Sequence, residues 1–384
     1  MKSGPSSRAS RNRARPLPPP PLAVGGVFGL PEACPWMPRR TRRTTYPWNS
    51  PSDRTRTVEW LANSRCALWR ILDARRPRRL WLPSYLCDTL LESARMSGTE
   101  VRFFPMTGSL LPDGKRWLSE VEPSDAVLMI DYFGFLAPEV WWQVIRSTGC
   151  LSIEDASQAL LTDGVGRFSD YVLYSPRKFI GVPDGGMLVS CTRTAALAPT
   201  ALRAAPADGW LASFEATWLR REQDRGGVSG PWFERFRAGE AAQPCGPYAM
   251  SDLSRRVLER GWDLRAVTAA RRRNYRRLCA SLLPWALFPE LPPGVAPIGF
   301  PVRLSNRDAV RTALIDERIF PPVHWPIRGA VPDKFVRSHR LANELMTLPC
   351  DQRYGLADMD RMAAVFRAAG PGKWVAKPPV AGEA

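Results

Sequence analysis

Residues 152–190 read SIEDASQALLTDGVGRFSDYVLYSPRKFIGVPDGGMLVS, and they set a carboxylate and an amine at the ends of strand-like runs. Asp155 closes the apolar run Cys150 to Ile153, where a buried strand delivers its last side chain to the rim of a sheet. Lys178 lies in the turn Ser175-Pro176-Arg177-Lys178, between the runs Asp170 to Tyr174 and Gly186 to Cys191. Gly185-Gly186 supplies the φ freedom that a tight return needs. A carboxylate and an amine on neighbouring strand ends can bracket one flat heterocycle.

Working outward, the lysine is informative because the chain avoids lysine: of 54 basic residues 6 are Lys. Where positive charge alone is needed the chain uses Arg. A retained Lys is a candidate for amine chemistry, since an ammonium can lose its proton and form a Schiff base while a guanidinium cannot. The ordinary alternative is a solvated surface lysine.

EDASQA at 154–159 followed by SPRKFIGVPDGG at 175–186 resembles the DegT/DnrJ/EryC1/StrS aminotransferases, fold type I enzymes that use pyridoxal 5'-phosphate and mostly act on keto-sugars. The resemblance implies that Asp155 pairs with the pyridine nitrogen and that Lys178 holds the cofactor as a Schiff base. It extends to Asn63-Ser64-Arg65-Cys66-Ala67-Leu68, similar to the family's phosphate-binding turn, and to Leu82-Pro83-Ser84-Tyr85, similar to its ring-stacking segment. Ser64 and Arg65 are thereby implied at the cofactor phosphate, with Ser175 adding a hydroxyl, and Tyr85 on the ring. Gln158 corresponds to a cofactor-side residue, and the neighbourhood of His324 faces the active site. The likeness runs from about 25 to 369. It departs at Ser64-Arg65, where many members have Gly-Thr, and at the variant S-P-R-K, so it implies fold and cofactor without fixing the substrate.

The residues themselves point the same way. From Val58 to Cys191 the pattern predicts alternating elements: helix Ala62 to Ala74, strand Leu80 to Leu82, helix Leu86 to Met96, strands Val101 to Phe104 and Ala126 to Ile130, helix Pro138 to Ser147. Such alternation implies a mostly parallel sheet covered on both faces, with ligands beyond the carboxyl ends of its strands. Tyr85 and Asp155 fall there. Asn63 or Ser64 can cap the first helix, whose free N–H groups suit a dianionic phosphate; an ordinary capped helix is the alternative. For Tyr85, Gln158 and His324 the plain alternatives are a core aromatic, a capping amide and a packed histidine.

The expected organisation is a disordered basic tail at 1–22, a large α/β cofactor-binding domain at 23–245 and a smaller α+β domain at 246–384. The tail is Arg-, Ser- and Pro-rich without an acidic residue, which also suits a transit peptide or an upstream start. Residues 195–237 read as helical, Trp- and Arg-rich. Beyond them come helix Leu253 to Leu282, strand Ile298 to Leu304, helix Arg307 to Ile315, strand Ile319 to Val323 and helix Leu356 to Ala368, with a frayed end from Gly370.

Net charge is +17, of which the first fifty residues hold +8. Beyond these, the only comparable basic cluster is Arg271, Arg272, Arg273, Arg276 and Arg277 on a helix, read as a solvated helix face, so charge argues against a nucleic-acid partner. Eight scattered cysteines without C-x-x-C and only 2 histidines, His324 and His339, exclude ordinary zinc spacing and suit a reducing cytoplasm. No apolar run is long enough for a bilayer. The chain therefore reads as an aminotransferase taking an amino group from an amino-acid donor, glutamate or glutamine, to a small carbonyl acceptor, and as a homodimer. A related lyase or dehydratase and a non-catalytic regulator of the same fold are the alternatives; the dehydratase branch carries histidine where Lys178 stands.

Overall fold

The computed structural model describes residues 23–31, 56–226, 230–260 and 262–372. The expectations for residues 1–22 and for most of the C-terminal end lie outside them. The first half contributes β1 (Val24–Gly25), β2 (Thr57–Leu61), α1 (Ser64–Arg75), β3 (Arg79–Pro83), α2 (Thr89–Ser97), β4 (Glu100–Phe104), β5 (Ala126–Ile130), α3 (Glu139–Ser147), β6 (Leu151–Asp155), β7 (Tyr171–Tyr174) and β8 (Gly186–Ser190). The second contributes β9 (Arg203–Ala204), α4 (Ala207–Asp224), α5 (Trp232–Ala241), β10 (Tyr248–Ala249), α6 (Asp252–Leu258), α7 (Leu264–Leu282), β11 (Phe300–Arg303), α8 (Arg307–Asp316), β12 (Ile319–Phe320), α9 (Val336–Glu344), β13 (Leu345–Leu348) and α10 (Leu356–Ala368).

Nine strands form one sheet in the order β4-β3-β5-β6-β7-β8-β2-β10-β9. From β4 to β7 every pairing is parallel, while β8 returns antiparallel on β7 and β2 antiparallel on β8. β3, β5, β7 and β8 are buried at every position, which is why they read as apolar runs rather than as alternating ones. β11 and β13 pair antiparallel over a separate core that includes Tyr275, Phe300 and Phe366.

The arm at 23–31 closes the structure. β1 pairs in parallel with β12, and the Gly25 N–H donates to the Tyr354 hydroxyl at 2.7 Å. Further along, a Cβ at Gly181 would lie 1.8 Å from the Gly29 carbonyl oxygen, so the arm rests directly on the chain just past Lys178. Phe28 carries the guanidinium of Arg353 over its ring, 4.2 Å from the centroid.

Several sequence expectations need correction. The helix expected across 253–282 is two, because the Asp263 side chain accepts the Ala266 N–H and starts α7 anew. The region 195–237 is helical only from Ala207, and its two helices follow Pro206 and Pro231. Strand β12 stops at Phe320 rather than running to Val323, and β2 and α9 have no counterpart in the sequence reading. Within the cluster Arg271 to Arg277, Arg271 is not solvated: it is fully buried, donates to the carbonyls of Pro297 and Ile298, and lies 4.5 Å over the Phe179 ring.

Candidate functional site

Asp155 ends β6 in the middle of the parallel half of the sheet, where the strand termini leave a crevice. Its Oδ1 accepts the Ser157 N–H at 3.0 Å, which turns the chain back over the strand end. After β7 a single 3-10 turn, Pro176–Lys178, brings the lysine to the same edge, its own N–H donating to the Ser175 carbonyl at 3.2 Å. Gln352 fixes that turn from the far side by donating to the Phe179 carbonyl at 2.8 Å. Asp155 and Lys178 line one cavity together with Ser64, Ser157, Gln158 and Trp325.

Ser64 reaches this cavity because the start of α1 is held hard against β8. Asn63 caps the helix through Oδ1, accepting the Cys66 N–H at 2.8 Å, and anchors it through Nδ2, donating to Gln243 Oε1 and the Pro244 carbonyl, both at 2.9 Å. At Gly186 an added Cβ would sit 2.0 Å from the Asn63 carbonyl carbon, so glycine alone allows this approach.

The other residues singled out from sequence stand off the cavity wall. Arg65 turns to α2, where its Nη1 pairs with Glu92 at 2.7 Å and also reaches the Gln243 carbonyl. Ser175 is buried beneath the turn that carries Lys178. Tyr85 is fully buried; its hydroxyl donates to the His324 carbonyl, and its ring lies tilted against Tyr132 and Trp325, 6.0 Å and 5.8 Å between centroids.

Residues beyond the sequence reading complete the wall. Trp325 follows His324 and Ser157 lies two places after Asp155, yet neither carries a signal of its own; Cys87 and Thr89 add the edge from α2. His324 Nδ1 lies 2.8 Å from Thr347 Oγ1. Burial, with a further push from the positive charge of Lys178, holds the His324 pKa down to about 3, so its ring is neutral.

Three polar groups here have no use within the fold. Gln158 Oε1 accepts the Phe133 N–H at 2.7 Å, but its buried Nε2 has no partner among the described residues, and neither has Ser157 Oγ. The Lys178 amine likewise makes no hydrogen bond or ion pair among them. Buried donors without partners are costly and point to a ligand that takes them up. Together with a carboxylate, an amine and a helix start, they fit a phosphorylated pyridine aldehyde. Among the described residues no group is arranged to hold a metal, and no helix is long and apolar enough to cross a membrane.

No family model matches the sequence, and no curated protein matches it either. Solved structures do. A DegT DnrJ EryC1 StrS aminotransferase from Brucella abortus aligns with a TM-score of 0.60 at 20% identity, over 82% of this chain and 86% of that one. The chain shares the fold of these solved aminotransferases. DesV of S. venezuelae, solved in complex with a ketimine intermediate, aligns with a TM-score of 0.61 at 18% identity, over 82% and 85% of the two chains. The sugar aminotransferase CalS13 from Micromonospora echinospora gives 0.57 at 14% identity, over 81% and 87%.

Proposed function

We propose that this chain is a pyridoxal-phosphate-dependent aminotransferase that moves an amino group from an amino-acid donor to the keto or aldehyde carbon of a small polar acceptor, in the first instance a keto-sugar. The observation that carries this reading is the convergence of Asp155 and the unpaired Lys178 amine on one cavity at the carboxyl edge of β6. The fold supports the acceptor class, since the solved proteins that share it include sugar aminotransferases. When bound, the cofactor supplies an electron sink that makes a C–H bond beside nitrogen acidic.

The chain's own residues supply the rest. Lys178 would hold the cofactor through Nζ and would serve as the base that carries a proton. Asp155 keeps a proton on the ring nitrogen. Ser64 and the free N–H groups at the start of α1 take the phosphate, and Gln158 Nε2 and Ser157 Oγ are the donors left to hold the ring's substituents. Neutral His324 sets no second positive charge beside the amine. A homodimer belongs to the same reading, supported by the apolar side chains that α4 and α5 expose: Leu211 at 49%, Trp218 at 39% and Phe233 at 52%.

The test is to load the purified protein with pyridoxal phosphate, reduce with borohydride and map the label. It should fall on Lys178 and vanish in Lys178→Ala; label on Lys115, or on no lysine, overturns the assignment. The pyridoxamine form mixed with keto-sugar nucleotides, keto-acids and amino-aldehydes then identifies the acceptor.

A further inference from the structure

Behind Asp155 the sheet carries two carboxyls that the chemistry above does not use. Glu154 precedes Asp155 on β6 and so faces the opposite side of the sheet. Asp131 directly follows β5, and its N–H donates to the Asp155 carbonyl at 3.1 Å. The register sets Met129 beside Glu154, so Asp131, two residues on, falls on the face of Glu154. Asp131 is fully buried and Glu154 is 3% exposed.

Their hydrogen bonds do not balance without a proton. Glu154 Oε2 accepts the Gly166 N–H at 2.9 Å and the Ser169 hydroxyl at 2.8 Å, and Asp131 Oδ1 accepts the Ala137 N–H at 3.0 Å. Asp131 Oδ2 is buried and meets no N–H or hydroxyl among the described residues, while the Asp131 carboxyl as a whole lies within hydrogen-bonding reach of that of Glu154. Two buried carboxylates in contact cannot both ionise, whereas one proton between them makes a short, strong hydrogen bond. Glu154 already accepts two bonds from other residues and Asp131 one, which puts the proton on Asp131 Oδ2.

We propose that Asp131 and Glu154 share this one proton and that the pair, a buried single negative charge, positions Asp155 and strengthens its hold on a positive ring nitrogen. The shared proton stands on the fold alone; the role toward the ring rests on the aminotransferase reading. Around the pair stand Asp155 on β6, Tyr174 on β7, Tyr132 beyond β5, Cys191 after β8, and Arg56 ahead of β2, whose guanidinium donates to the Gly166 carbonyl at 3.2 Å. Burial first, and then the charge of Glu154, push the Asp131 carboxyl well above its usual range, and burial raises that of Glu154 as well.

The sign of the effect makes a test. The unfolded chain releases the Asp131 proton near its ordinary value while the folded chain keeps it, so the wild type loses stability as pH rises above about 4. Asp131→Asn keeps a donor toward Glu154 and an acceptor for Ala137, and it has no proton to lose. Full-length protein without added cofactor should melt, as Asp131→Asn, no lower than wild type at pH 6, with the gap widening by about 1–2 °C per pH unit for as long as the folded wild type keeps the proton. A variant that melts lower by the same margin at every pH overturns the shared proton. In protein loaded with pyridoxal phosphate, the pH midpoint of the cofactor absorbance should hold in Asp131→Asn, which keeps one negative charge. It should move down by about one unit in Asp131→Asn/Glu154→Gln, which keeps none. An unmoved midpoint in the double variant overturns the role toward the ring. Wild type that takes up no pyridoxal phosphate refutes the aminotransferase reading, and the melting series still decides the pair.

Discussion

Replacing Gly186 by Ala tests whether the contact between β8 and α1 builds the phosphate end of the site. The new methyl would stand 2.0 Å from the Asn63 carbonyl carbon, 2.2 Å from its oxygen and 2.4 Å from the Ser64 nitrogen. Carbon contacts settle near 3.5–4.0 Å, so one backbone must retreat by roughly 1.5 Å. All three atoms are main chain, and no rotamer change relieves them. Overpacking of this kind costs about 1–3 kcal/mol and should lower the melting temperature by several degrees. One of the displaced atoms, the Ser64 nitrogen, carries an N–H at the helix start offered to the phosphate, so pyridoxal phosphate affinity should fall about tenfold, equivalent to ~1.4 kcal/mol. Thermal melting and a titration followed by tryptophan fluorescence read the two effects separately. Unchanged melting would refute the packing argument; lower melting with unchanged affinity would show that the phosphate sits elsewhere.

Asp155→Asn should leave cofactor uptake largely intact and slow transamination half-reactions by orders of magnitude, read by stopped-flow absorbance, because a neutral pyridine is a poor electron sink. His324→Gln should flatten the acid side of the stability curve. The wild-type ring is neutral with its pKa held at about 3, so stability is complete above about pH 6.5 and falls as the pH drops toward that value. The loss is at most about 1.4 kcal/mol per pH unit, and less because solvent partly reaches the side chain; urea midpoints at pH 7 and pH 5 measure it. Asn63→Ala removes a helix cap and leaves the Gln243 amide oxygen and the Pro244 carbonyl without their donor, a loss of about 2–4 kcal/mol by equilibrium unfolding.

Most of the parallel half of the sheet was legible because its inner strands β3, β5 and β7 are buried on both faces and so write continuous apolar runs; Ala126 to Ile130 matches residue for residue. β2 was not, since Thr-Val-Glu-Trp-Leu is short and largely half-exposed and writes no continuous apolar run. The same limit applies to the site. Asp155, Lys178, Ser64 and Gln158 sit on or beside strand ends and a helix start, where local sequence fixes direction. Where Tyr85 and Arg65 point is decided by distant partners, the His324 carbonyl and Glu92, which no local pattern announces. Trp325 reaches the wall through a loop whose path depends on β12 and β13.

The arm carries a consequence for biogenesis. The Gly25 N–H finds its acceptor on Tyr354, 329 residues away in sequence, and β1 pairs with β12, a strand that is also made long after it. At about 5–20 residues per second roughly 20–60 s separate the making of the arm from that of Tyr354, and until then only earlier partners, the Thr217 carbonyl for the Leu30 N–H and Arg220 for the Gly25 carbonyl, can engage it. During that interval the sheet strands after it can assemble, with the β1 end of the arm still without its strand partner. The seat of the arm on β12 and Tyr354 is therefore completed only after the strands of the large sheet have been made, although the arm precedes them all in the sequence.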